Sequence, residues 1–437
     1  MQVGVKAATI PPFFLMTEGL SMTLIRPLKG LRPRQEQASA VIAPPYDVLN
    51  TAEAKERVKG RPHSFLHISK PEIDCPEDTD PYAPMVYEKG AENLQRLIAD
   101  DILIQDKEPC YYAYQLIMDG HEQTGLVAVA NVDDYDSNRI KKHEFTRPDK
   151  EDDRTRQIDV LNAQTGPVFL TYRQQPEVDE IISQVKGQTP EYDLRADDGV
   201  QHTIWVISAP QQINELTRLF DQMDNLYIAD GHHRSASASR IAAMRRKEFP
   251  DASADAPFNY FLSVIFPDNQ MKILDYNRVI RDINGLPADA FITRIAHSFD
   301  ISEADEPVKP EHAGQFGMYL SKQWYRLDIH ADKIPSDDPV KRLDVSLLAD
   351  NLISPVLGID DPRRDKRIDF VGGIRGLGEL EKRVDSGEMA VAFALFPTSL
   401  GDLMAVADAN EVMPPKSTWF EPKLADGLVS HLLSDAE

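Results

Sequence analysis

Asp230 to Ser235 gathers an acid, two imidazoles, a guanidinium and a hydroxyl around one glycine. An apolar stretch, Asn225 to Ala229, precedes it and reads as a strand; Ser235 to Phe249 follows and reads as a helix. A helix start offers unbonded N–H groups and a partial positive charge to an anion. Gly231 lets the backbone approach a ligand closely and adopt φ > 0. Arg234 can grip a phosphate or carboxylate with two parallel hydrogen bonds. Gly231, Arg234 and Ser235 are thus the expected phosphate or nucleotide contacts. His232 and His233 can donate a hydrogen bond or move a proton near neutral pH. Asp230 can hold a metal ion or act as a base. The bland alternative is a tight turn with Ser235 as a cap and Arg234 in a surface ion pair. Six such residues together favour function. The two histidines do not make a zinc site, because no third and fourth ligands stand at a suitable spacing.

Three further segments carry candidate chemistry. Lys141 to Arg154 interleaves both charge signs. Lys142, Arg147 and Arg154 suit phosphate oxygens or a substrate carboxylate; Asp152 and Asp153 suit magnesium, and Glu144 suits magnesium or a general base. The alternative is a solvated, salt-bridged loop and helix start. In Ile42 to Val48 two prolines stiffen a turn that presents Tyr46 and Asp47 to a substrate, or that merely ends a strand. In Met413 to Lys423, Lys416, Ser417 and Thr418 are donors on a proline-rigid segment; otherwise that segment only packs Trp419 and Phe420 into a core. The phosphate loop G-x-x-x-x-G-K-[ST], the dinucleotide fingerprint G-x-G-x-x-G, H-E-x-x-H and G-x-S-x-G are all missing, which counts against the corresponding enzyme classes.

The elements that must position these residues are mixed. Strands are expected over Cys110 to Met118, Thr124 to Val132, His202 to Ser208, Tyr260 to Phe266 and Val391 to Phe396. Helices are expected over Pro84 to Ala99, Ile213 to Met223 and Asp344 to Leu352. Strict βαβ alternation is not evident, so the expectation is α+β: mixed sheets with flanking helices. At 437 residues more than one domain is expected. The soft partition is an N-terminal extension over 1–21, an α+β domain over 22–209, a central unit over 210–299 and a C-terminal α+β unit over 300–437. The formal net charge of −23 repels phosphate backbones and anionic lipid, which argues against general nucleic-acid binding. No apolar run approaches a membrane span. Two cysteines without metal-type spacing fit a reducing compartment, so a cytoplasmic location is expected. The short apolar run Ile10 to Leu15 lacks the features of a secretory signal.

Together the four segments resemble the family called domain of unknown function 1015. Its members carry P-P-Y-D-V (here Pro44 to Val48), an H-E-x-T-x-P-x-K-E-D-x-R-type stretch (His143 to Arg154), D-G-H-H-R (Asp230 to Arg234) and M-P-P-K-S-T-x-F-x-P-K (Met413 to Lys423). The resemblance runs from about Leu24 to Leu433. The strand–D-G-H-H-R–helix turn is also similar to the phosphate motif of the ParB and sulfiredoxin superfamily, which includes kinases of free serine. That likeness implies Gly231, His232, His233 and Arg234 as phosphate contacts and Asp230 as metal ligand or base. The serine kinases also use a glutamate from an earlier segment; no motif matches it here, and Glu144 is the candidate.

The leading expectation is a nucleotide-dependent phosphotransferase using Mg²⁺ and ATP or ADP. Its substrate would be a small anionic or amino-acid metabolite, with free L-serine as the first candidate by resemblance. The alternatives are a nucleotide-binding regulator or NTPase without an acceptor, and a hydrolase using His232 or His233 on an anionic metabolite.

Overall fold

The computed structural model describes residues 23–434; the extension expected over residues 1–21 lies outside them. A nine-stranded sheet forms the larger half. Its order is Ile140–Lys141, Leu226–Asp230, Val168–Tyr172, Tyr260–Pro267, His121–Asn131, Tyr111–Met118, Gln201–Ile207 and Tyr192–Arg195, with Ile25–Arg26 also pairing on His121–Asn131. Two pairs are parallel, 140–141 with 226–230 and 168–172 with 260–267; the other pairings are antiparallel. The run Tyr260–Pro267 is buried throughout, as a strand covered on both faces must be. A six-stranded antiparallel sheet follows, ordered Phe299–Ala304, Gln323–Ile329, Gln315–Leu320, Val391–Leu395, Tyr276–Ile280 and Ile368–Gly372. This is the expected α+β class of mixed sheets with flanking helices.

Burial explains the layering. On one face of the large sheet, Leu126, Ala128, Leu170 and Ile228 meet Val178, Leu216, Phe220, Ala236 and Ala242 from three helices. Those helices are Pro176–Lys186, Pro210–Asp221 and His232–Glu248. The last begins with small residues; Ser235, Ser237 and Ala238 are almost fully buried, so this helix lies close to the sheet. On the other face, Tyr112, Val264 and Phe266 share one apolar core with Phe316, Phe393 and Leu395 of the second sheet, and with Phe420 and Leu424 near the C-terminus. Among the described residues no helix is long and apolar enough to cross a membrane.

Several expected bounds shift for tertiary reasons. The large sheet runs across the expected boundary at Ala209, because Leu226–Asp230 and Tyr260–Pro267 are among its strands. Tyr276–Ile280, placed in the central unit, pairs in the second sheet. The helix expected from Ser235 starts at His232. The helix expected over Asp344 to Leu352 is α-helical only to Leu348 and continues as a π-helical turn, Ala349–Ile353. The charged stretch, read either as a ligand-binding segment or as a salt-bridged loop and helix start, contains a full helix, Pro148–Leu161. Few apolar residues support it. It is tied down by a hydrogen bond from the Tyr87 hydroxyl to Asp153 (2.8 Å) and an Arg240–Asp152 ion pair (2.7 Å).

Two strands of the large sheet meet at a tight point: a Cβ on Gly125 would stand 2.9 Å from the Phe266 ring, which is itself fully buried. Gly125→Ala is expected to lower the unfolding free energy by about 1–3 kcal/mol. Urea titration measures this, and an unchanged midpoint would contradict the packing described.

Candidate functional site

The site strand, Leu226–Asp230, is buried up to its last residue. Its pairing with Val168–Tyr172 slips by one residue between Ile228 and Asp230, a bulge at the strand end. Gly231 follows at φ 99°, ψ 27°, a left-handed conformation that a residue with Cβ adopts only with strain. The site helix starts at once, with no side chain capping it. Its first N–H groups therefore have no partner within the helix.

These residues open onto a cleft of about 620 Å³ between the two sheets. All four sequence segments reach it. Tyr46 and Asp47 line it from the proline turn, His143 and Glu144 from the charged segment, Asp230 to Arg234 from the site turn, and Lys416, Ser417 and Thr418 from the C-terminal segment. The C-terminal segment touches both sheets. Phe420 packs on Phe169 of the large sheet (ring centroids 5.6 Å apart) and Trp419 meets Tyr276 of the second edge-on (5.2 Å). The Met413 N–H donates to the His143 carbonyl (2.9 Å), which joins the charged segment to it.

The electrostatics are asymmetric. Asp230 accepts a hydrogen bond from the Lys423 ammonium at 3.0 Å. Burial alone would raise the Asp230 carboxyl, but Lys423 and Arg234 outweigh it and hold the group well below the usual carboxylate range. Glu144 behaves in the opposite way: burial pushes its carboxyl up and the charge of Asp230 adds to that, with Lys416 opposing. Of the acids lining the cleft, Asp230 is thus firmly ionised, whereas Glu144 and the buried Glu421 have raised proton affinity. Arg234 donates to the Pro167 carbonyl and forms part of a small adjoining cavity with Arg154, Tyr46 and Asp426. Arg154 lies over the Tyr46 ring at 4.0 Å and pairs with Asp153 at 2.7 Å.

The histidines are tethered. His232 Nε2 accepts from the His143 N–H (3.4 Å), its Nδ1 stands 3.7 Å from Glu144, and the two imidazoles meet edge-on. His233 Nε2 accepts from the Arg147 N–H at 3.0 Å. Burial pushes His143 down to about 4; burial and the neighbouring His143 push His232 well below its usual value. Burial also lowers His233, with Arg147 adding to it.

Other expected site residues are placed elsewhere. Lys142 points away, its ammonium donating to the Tyr135 carbonyl (2.7 Å) and lying 3.9 Å from that ring's centre. Arg147 is exposed and pairs with Asp149. Asp152 and Asp153 do not join Asp230 around a metal: the helix that carries them uses them to bind Arg240 and Arg154. Among the described residues no group of three histidines, cysteines or acids could hold a metal ion. Ser235 is fully buried and its hydroxyl donates to the His232 carbonyl (3.1 Å), so it does not face the cleft. The Ser417 hydroxyl donates to the Pro414 carbonyl (2.6 Å), so it shapes its own turn.

Sequence reasoning missed several cleft residues, among them Lys423, Tyr276, Ile374, Arg375, Asp198 and Glu421. Lys423 closes the quoted M-P-P-K segment, and its type and place at that end were the available signal. Tyr276, Ile374 and Arg375 come from the second sheet and its loops; no local pattern links them to the turn.

Both His143 and His232 are neutral at pH 7. The unfolded chain takes up protons near pH ~6.5 and the folded rings do not. Their contribution to stability is therefore complete above about pH 6.5 and is lost progressively below it, for His143 as pH falls toward about 4. Histidine ring resonances of these two residues are expected to keep the neutral form at pH ~6. A titration of either ring near pH ~6.5 would contradict the burial described.

The family model described as "Protein of unknown function (DUF1015)" matches residues 25–346. No curated protein matches. Similar solved structures include a free serine kinase in complex with AMP, at 14% identity and a TM-score of 0.33, covering 69% of this chain and 92% of that one. A conserved hypothetical protein from Pyrococcus furiosus aligns at 15% identity and 0.33, covering 70% and 95%. SbnI with a C-terminal truncation, from Staphylococcus aureus, aligns at 12% and 0.37, covering 71% and 90%. Likenesses this distant leave the chemistry to this chain's own residues. With about three quarters of its length matched by one family model, the chain belongs to the DUF1015 family.

Proposed function

We propose that the protein is a nucleotide-dependent phosphotransferase acting on a small metabolite. The observation that carries this reading is the joining, in one cleft, of an uncapped helix start bearing Arg234 with carboxylates of opposite character, Asp230 and Glu144. Phosphoryl transfer needs positioning and charge neutralisation more than covalent chemistry from the protein. The N–H groups of His232, His233 and Arg234, with the Arg234 guanidinium and Lys423, would receive the nucleotide's phosphates. Glu144, whose carboxyl is raised by burial, would take the proton of the acceptor hydroxyl as its oxygen attacks the terminal phosphorus; the shortened nucleotide leaves with the bridging oxygen. The neutral His232 beside Glu144 would fix that carboxylate's orientation.

Magnesium fits here as an ion that one carboxylate of the cleft would hold together with the nucleotide's phosphates. Mg²⁺ typically takes one or two carboxylates and completes its octahedron with phosphate oxygens and water. Asp230, firmly ionised, is an oxygen donor lining the cleft and would be the protein's ligand to the ion, leaving Glu144 free as the base. The ion would supply charge neutralisation on the phosphates. Free L-serine is the first acceptor to try, from the resemblance of the D-G-H-H-R turn to that of free-serine kinases.

The test is ³¹P NMR of the protein with Mg²⁺, ATP or ADP, and L-serine among other hydroxy-amino acids. A new phosphomonoester signal is expected. It should vanish in Arg234→Ala and form about 10²–10⁴-fold more slowly in Glu144→Gln. Release of inorganic phosphate alone would make the protein an NTPase without an acceptor. Unchanged spectra would contradict nucleotide chemistry altogether.

A further inference from the structure

Four cations line the cleft, Arg234, Arg375, Lys416 and Lys423. Two stand at the phosphate end and already hold a protein group, Arg234 the Pro167 carbonyl and Lys423 the Asp230 carboxylate. The other two have neither an ion pair nor a side-chain hydrogen bond among the described residues; the Lys416 ammonium meets only the Tyr276 ring, at 5.6 Å. Both belong to the wall built by the second sheet and the C-terminal segment, not to the site turn.

Lys416 is held with unusual effort. Its backbone is left-handed, φ 59°, a strained conformation for a residue with a long side chain. Its carbonyl accepts from the Arg278 guanidinium at 3.0 Å, and that arginine is only 4% exposed, a place where cations are rare. Burial lowers Arg278 to about 10. On the other side the Ser417 hydroxyl binds Pro414, and the Thr398 hydroxyl binds the Ser417 carbonyl at 2.9 Å. A buried cation and two hydroxyls thus fix one strained turn whose own charge is left free and exposed to the cleft. Nothing in the packing of the turn requires a charged side chain there. Strain retained by such surroundings marks functional positions.

We propose that Lys416, with Arg375 on the same wall of the cleft, is the seat of the acceptor's carboxylate, and that Arg278 is the positioning residue that aims Lys416. The acceptor class is then a small hydroxy acid or hydroxy-amino acid. Its carboxylate rests on the second-sheet wall and its hydroxyl lies toward Glu144, which is near enough to feel the charge of Lys416. This deepens the phosphotransferase reading and rests on it for the hydroxyl's role.

The test is calorimetric titration of the full chain with L-serine, glycerate and L-serinamide, which lacks the carboxylate, and separately with ADP. The acids are expected to bind, and the amide to bind about tenfold or more weakly. Lys416→Asn keeps a residue tolerant of the left-handed turn and removes the charge. It should weaken the acids about 10- to 100-fold and leave ADP within about twofold. Arg278→Met should weaken the acids similarly and spare ADP, which a general loss of structure would not do. The proposal is overturned if the amide binds as well as the acids, if no acid binds, or if Lys416→Asn weakens ADP as much as the acids. If acids bind through Lys416 but no phosphomonoester forms with ATP or ADP, the carboxylate seat stands and the phosphotransferase reading falls.

Discussion

A carboxylate at the end of a buried strand must find positive charge, or it cannot stay ionised there. Asp230 is such a group, and its needs organise the structure around it. One cation, Arg234, comes from the first turn of the helix that Asp230 introduces; the other, Lys423, comes from almost two hundred residues further along the chain. Satisfying Asp230 therefore draws the C-terminal segment over the site strand. Phe420 and Trp419 lock that segment against both sheets, and the cleft forms beneath it. The same ionised carboxylate raises the proton affinity of Glu144. One ion pair thus links the shape of the cleft to the difference between Asp230 and Glu144.

The helix packing belongs to the same constraint. Gly231 occupies the cap position after the bulge and has no side chain to offer, so the helix start stays open. The helix is then held by its small buried residues on the sheet and by polar ties to Pro148–Leu161, among them Ser237 to the Glu151 carbonyl and Arg240 to Asp152. This arrangement uses the charges of Asp152 and Asp153 for structure and removes them from the cleft.

How much was legible in the sequence follows from the range of each signal. Tyr260–Pro267 and Tyr111–Met118 are continuous apolar runs and announce themselves as strands. The strand–Gly–helix turn was legible because its punctuation is local. The helix Pro148–Leu161 was not, because its order comes from partners such as Tyr87 and Arg240 that no periodicity reveals. The same reasoning separates the site residues. Asp230, Arg234 and Lys416 sit in segments dense with chemistry. Tyr276 and Arg375 lie on a strand and a loop whose sequence reads as ordinary sheet, and only the approach of the second sheet brings them to the cleft; Arg278 is likewise revealed only by its bond to the Lys416 carbonyl. Lys142 and Arg147 misled for the opposite reason: charge density marked the segment, but backbone direction turned these two side chains to Tyr135 and Asp149.

The central claim is that four distant segments form one nucleotide-phosphate site. Hydrogen–deuterium exchange with and without Mg²⁺ and ADP addresses it without presupposing an acceptor. The account predicts that residues 44–48, 143–144, 229–235 and 413–423 gain protection together, and that Arg234→Ala abolishes the gain in all four. Protection confined to one segment, or gained elsewhere in the molecule, would contradict a shared site.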